Sequence, residues 1–119
     1  MILRQLALAL VFCALALPLP ASAQTQGQTM QKYVIERDIP GLGKMSAAEL
    51  NAASKKSREA LARMGPSIQW VQSYVADDKM YCVYLAHNED EIRTHAKAAG
   101  IPATRISRVK TIIDPINGN

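Results

Sequence analysis

Residues 68–86 read IQWVQSYVADDKMYCVYLA and hold the only tryptophan of the chain, three of its four tyrosines and one of its two cysteines. Two runs rich in β-branched and aromatic residues, 68–76 and 80–86, flank the polar Asp77-Asp78-Lys79, the pattern of two strands joined by a tight hairpin. A three-residue loop sets Ala76 opposite Met80 and Tyr74 opposite Cys82, and so decides which side chains share a face. On that register Val71, Ser73, Val75, Tyr81, Val83 and Leu85 form one face, expected to lie under helices. Trp70, Gln72, Tyr74, Met80, Cys82 and Tyr84 form the other, a mixed aromatic and polar surface expected to stay open for recognition. A loop of even length would exchange the faces of the second strand.

Working outward, residues 32–39 (KYVIERDI) alternate as a strand, with Tyr33, Ile35 and Ile39 on one face and Val34, Glu36 and Asp38 on the other. Arg37 is the exception on the apolar side. Pro40-Gly41-Leu42-Gly43 ends that strand, and Ser46-Ala47-Ala48-Glu49 is a capping box opening a helix that runs to about Met64. Leu50, Ala53, Ser57, Ala60, Leu61 and Met64 form its expected buried stripe, with Gly65 as its cap and Pro66 beyond. After the hairpin, Asn88 caps a second, shorter helix whose first turn is acidic and whose stripe is Ile92, Ala96 and Ala99. Gly100 ends it, and residues 106–113 read as a last strand. The order β-α-β-β-α-β predicts an α+β ferredoxin-like split βαβ sandwich, a four-stranded antiparallel sheet with two helices on one face. The uncovered face then needs a partner, and a homodimer packed through the open sheets is expected.

Upstream, a positive start, the apolar run from Leu6 to Leu17 and Ala21-Ser22-Ala23 predict a secretory signal peptide over 1–23. The run is shorter than the ~20 residues that span a bilayer, and prolines interrupt it. Residues 24–31 read as a polar tether, and residues 32–116 as one small domain. The expected location is the periplasm or the exterior. Loss of Cys13 with the signal leaves Cys82 alone, so no internal disulfide is expected. The chain has 14 basic and 10 acidic residues; the small, scattered excess predicts neither a nucleic-acid partner nor a membrane one after signal cleavage.

No phosphate loop, dinucleotide fingerprint, Cys-x-x-Cys or His-x-x-x-His is present. An enzyme is therefore not the favoured reading, and any metal site has to be assembled from Glu36, Asp38, Cys82, His87 and His95. Of these, Glu36, Cys82 and His95 are the chosen ligands. Cys82 reads either as a small buried hydrophobe or as a thiolate ligand. His95, at the edge of the second helix's stripe, reads as a structural histidine or as a metal ligand or proton shuttle. His87 reads as an exposed loop residue. Glu36 lies on a strand beside Cys82 and Tyr84, and its carboxylate needs Arg108, Lys110 or a bound cation.

YVIERDIPG (33–41), the hairpin 68–86, NEDEIRTHAKAAGIPATRI (88–106) and VKTIIDP (109–115) together resemble a family of small bacterial nickel-binding proteins, over nearly all of the mature chain. The resemblance implies a ferredoxin-like α+β domain, dimeric, with Ni(II) as ligand and no established reaction. Ni(II) accepts nitrogen, oxygen and sulfur donors, yet Cu(II) binds more tightly at a given site, so the expectation is nickel or another divalent transition metal. A second reading is a cofactor-independent dimeric α+β barrel enzyme holding a small organic substrate against its aromatic residues.

Overall fold

A computed structural model of the protein describes residues 29–116; the signal peptide reading of 1–23 and most of the tether lie outside the described residues. The first strand, β1 (Gln31–Asp38), takes in Gln31 from the tether and leads through a short 3-10 turn at Leu42–Lys44 into α1 (Ala47–Met64). Then follow β2 (Ile68–Val75), β3 (Lys79–Ala86), α2 (Glu89–Ala99) and β4 (Arg105–Arg108). The sheet order is β2-β3-β1-β4, with every neighbouring pair antiparallel. This is the expected ferredoxin-like α+β sandwich. No helix among the described residues is long and apolar enough to cross a membrane.

Local signals in the sequence set the helix ends. The hydroxyl of Ser46 accepts from the Glu49 amide while the Glu49 carboxylate accepts from the Ser46 amide, so the capping box closes in both directions. Asn88 caps α2 through the Glu91 amide, and Gly100 ends it in the left-handed region. Ser57 and Ala60 of α1 and Ile92, His95, Ala96 and Ala99 of α2 are buried. They face a core of Tyr33, Ile35, Ile68, Cys82, Tyr84 and Ala86 from the three longer strands.

The hairpin register departs from expectation. The Ala76 amide donates to the Lys79 carbonyl at 2.8 Å, so the turn is the two residues Asp77-Asp78 and Val75 pairs with Met80. That even-length turn exchanges the two faces of β3. Met80, Cys82 and Tyr84 therefore lie under the helices, whereas Tyr81, Val83 and Leu85 lie on the open face. A second irregularity, a bulge at Val71 between Trp70 and Gln72, turns the first half of β2 over as well, so that Trp70 pairs with Tyr84 beneath the helices. Gln72 and Tyr74 stay on the open side, as expected. Tyr84 is 1% exposed and Cys82 is 2% exposed; neither belongs to an open recognition surface.

The expected last strand is also shorter. β4 is an edge strand whose only neighbour among the described residues is β1, and its ladder with β1 spans Arg105 to Arg108, followed by one bond from the Val109 amide to the Lys32 carbonyl. The ladder stops there, one residue short of the start of β1 at Gln31, and Ile112, Ile113 and Ile116 are exposed. At the other end of β1, the hairpin turn docks on the loop before α1. The Gly43 amide donates to the Asp77 carbonyl at 2.8 Å, and a Cβ on Gly43 would stand 2.8 Å from the Asp77 Cα. Only glycine permits so close an approach.

Candidate functional site

Between α1 and the covered face of the sheet lies a cavity of about 300 Å³. Ile39, Leu42, Met45, Leu50, Val75 and Met80 form most of its apolar wall. Its inner end is polar, lined by Arg37 from β1, Trp70 and Ser73 from β2, Cys82 and Tyr84 from β3 and Ser57 from α1, and α2 adds His95 behind Ser57 and Tyr84.

These groups form two linked sets. In the first, His95 Nε2 lies 3.1 Å from the Tyr84 hydroxyl and 3.2 Å from the Ser57 hydroxyl. Burial, with the Arg37 charge second, lowers the His95 pKa to about 4, so its imidazole is neutral near pH 7. Burial likewise raises the pKa of Tyr84, which is a neutral phenol there. In the second set, Cys82 Sγ accepts from Arg37 Nε at 3.3 Å and from the Ser73 hydroxyl at 3.0 Å. Ser73 in turn accepts from Trp70 Nε1 at 2.9 Å. Arg37 joins the two sets, with its guanidinium 5.9 Å from the centroid of the Tyr84 ring.

Arg37 is fully buried. Its Nη1 donates to the Pro102 carbonyl at 2.6 Å, and its Nη2 has no hydrogen-bond partner among the described residues. Arg37, Ser57 and His95 are the buried polar residues, so no carboxylate shares the interior described here with that cation. In the sequence Arg37 stands out only as an exception to the alternation of β1. A cation at a core position of a strand was the available signal. In the sequence Ser57 belongs to the expected buried stripe of α1 and Ser73 is the one polar residue of an expected covered face, and neither position tells what its hydroxyl contacts.

A family model described as nickel responsive protein SCO4226-like matches residues 33–109, which takes in all four strands and both helices except the first two residues of β1. The chain belongs to this SCO4226-like family. The crystal structure of SCO4226 from Streptomyces coelicolor A3(2) is similar with a TM-score of 0.56 and 16% identity, covering 69% of this chain and 99% of that one. At that identity the likeness shows the fold alone. No curated protein matches the chain.

In this SCO4226-like chain the three chosen ligands are not brought together. Glu36 pairs with Tyr81 across the ladder and points to the open face, while Ile35 pairs with Cys82 on the covered face, so the carboxylate and the sulfur lie on opposite sides of the sheet. Cys82 and His95 share the covered side, but Cys82 already faces the Arg37 cation, an unfavourable neighbour for a divalent metal. Among the described residues no three His, Cys, Asp or Glu side chains converge as a metal site. The partners of Glu36 are Lys79 at 3.4 Å and Arg105 at 3.9 Å rather than Arg108 or Lys110, because the ladder sets Arg105 opposite Glu36. Asp38 shares Lys79, also at 3.4 Å.

His87 is placed differently from an exposed loop residue. It is half-buried, and its Nδ1 lies 3.2 Å from Glu91 Oε1 while its own amide donates to Glu91 Oε2 at 2.8 Å. Since a carboxylate only accepts, Nδ1 is the donor of this pair, and in the neutral tautomer that fits it Nε2 carries the lone pair. A carboxylate that orients an imidazole in this way is the usual outer support of a metal-binding histidine.

Proposed function

We propose that this protein is an exported nickel-binding module that handles the metal in the periplasm or outside the cell. The family match over residues 33–109 is the observation that carries the reading. His87 is the residue assigned to the metal, through Nε2, with Glu91 fixing its ring; water and a second copy of the chain would supply the remaining positions that Ni(II) takes. The sheet separates Glu36 from Cys82 and His95 in one protomer, and the three serve as the competing set.

The homodimer belongs to the same proposal. Its support is the open face, where Val34, Val83 and Leu85 are half-buried and Tyr74 and Tyr81 are exposed without any helix to cover them. Calorimetry with Ni(II) on the metal-free protein tests the whole reading. Micromolar binding that is lost in His87→Ala and kept in the Glu36→Ala, Cys82→Ser, His95→Ala triple variant is expected. Binding lost only in the triple variant would move the site, and affinity no better than millimolar would remove the function. Light scattering checks the dimer, which Tyr81→Glu should dissociate without unfolding the chain.

A further inference from the structure

The cavity and the unpaired Arg37 have no part in metal binding, and together they describe a second site. A buried cation is ordinarily matched by a carboxylate or another anion, because removing it from water is costly. Here the guanidinium is 0% exposed, and its hydrogen bonds run to a sulfur and a backbone carbonyl while Nη2 has none among the described residues. Next to it opens a space of about 300 Å³ with a mainly apolar wall.

We propose that the cavity beneath α1 binds a small amphipathic carboxylate, with its head group pairing with Nη2 of Arg37 and its hydrocarbon body lying along Ile39, Leu42, Leu50 and Met80. Each part of the site selects for one part of that ligand. The guanidinium fork matches the two oxygens of a carboxylate and repels an ammonium group. The apolar wall gives no purchase to a purely inorganic anion. The volume is at the small end of ligand pockets, which suits a short acid and excludes a long-chain lipid.

Entry requires one movement. Met80 is the cross-strand partner of Arg37, lines the cavity and is half-buried. Its unbranched thioether can rotate at little cost and uncover the guanidinium. His95 feels the same cation, which contributes to its lowered pKa, so the charge of Arg37 already reaches the other polar groups of the inner end.

Trp70 is the only tryptophan and lines the cavity, so its fluorescence reports occupancy directly. The probes are octanoate, octanol and octylamine, titrated into the purified protein. Octanoate should change the emission saturably and bind at least tenfold more tightly than octanol, with octylamine weaker still. In Arg37→Gln the tenfold preference should vanish while octanol binding persists. Equal affinity for octanoate and octanol in the wild type, no response of Trp70, phosphate binding as tightly as octanoate, or a preference that survives in Arg37→Gln would each overturn the proposal. Should Arg37→Gln fail to fold, Ser54→Phe decides, because it places a ring in the cavity from α1. Octanoate binding must then be lost with the circular dichroism unchanged, and retained binding overturns the site. Nickel enters none of these measurements, so their failure leaves the metal reading standing.

Discussion

Beneath the helices the sheet buries an arginine that meets no carboxylate among the described residues, whereas on the open face of the same sheet Glu36 and Asp38 share Lys79 and Glu36 also faces Arg105. The open-face pairs resemble what is usually sought as electrostatic structure, yet exposed ion pairs contribute little because water and salt screen them. The covered face has one cation and several neutral hydrogen bonds, and there each group matters more because no water can replace a lost partner. Burial, rather than the number of charges, separates the face that holds the fold and a ligand from the face that is available to a second subunit.

The sharpest way to break this contrast is to place the same charge on each face. Tyr84→Glu puts a carboxylate under α2 beside His95 and should cost on the order of 4 kcal/mol or prevent folding. Tyr81→Glu, one face away on the same strand, should stay within about 0.5 kcal/mol of the wild type when both are unfolded at a concentration dilute enough for the wild type to be monomeric. Urea unfolding of both variants measures the difference, and equal costs would reject the face assignment.

The next effect is in pH. The His95 pKa is 6.5 as an ordinary value and about 4 in the folded protein. Between those values the unfolded chain binds the proton more readily. The stability contributed by neutral His95 is therefore complete above pH 6.5 and is lost as the pH falls toward 4, on the order of 3 kcal/mol over that window. His95→Gln should flatten the urea midpoint across the same range. A wild-type profile as flat as that of the variant would contradict a buried, neutral imidazole.

A smaller effect isolates one hydrogen bond. Tyr84→Phe keeps the ring against Trp70, whose centroid is 6.4 Å away, but removes the hydroxyl that reaches His95. It should cost about 1 kcal/mol by urea unfolding. Lys79→Ala is the smallest change. It removes the shared partner of Glu36 and Asp38 on the open face, and its urea midpoint should coincide with the wild type at moderate salt.

Much of this architecture could be read locally. The capping box at Ser46 and Glu49, the Asn88 cap and the glycines at 65 and 100 fix helix ends through contacts within a turn, so they appear where the sequence places them. The alternation in β1 put Arg37 on the apolar side, and it is there. The hairpin was legible as a hairpin but not as a register. One residue more or less in the turn reverses every side chain of β3, and the bulge at Val71 reverses part of β2 again. Cys82 and Tyr84 thus lie in the core and Trp70 packs against it, where a recognition face was expected. The proposed ligand set of Glu36, Cys82 and His95 failed to converge for the same reason: strand adjacency is visible in the topology, but the side of the sheet is not.

The sequence by itself determined the order of elements, the helix boundaries and the presence of a cation at a core position of β1, because periodicity, caps and turn residues act between near neighbours along the chain. Tertiary structure alone decided that this cation sits beside Cys82, Tyr84 and a cavity with no carboxylate in reach among the described residues. Those facts depend on five elements meeting at one point and on the pairing offset between two strands, and a hydrophobic pattern constrains neither to better than a residue.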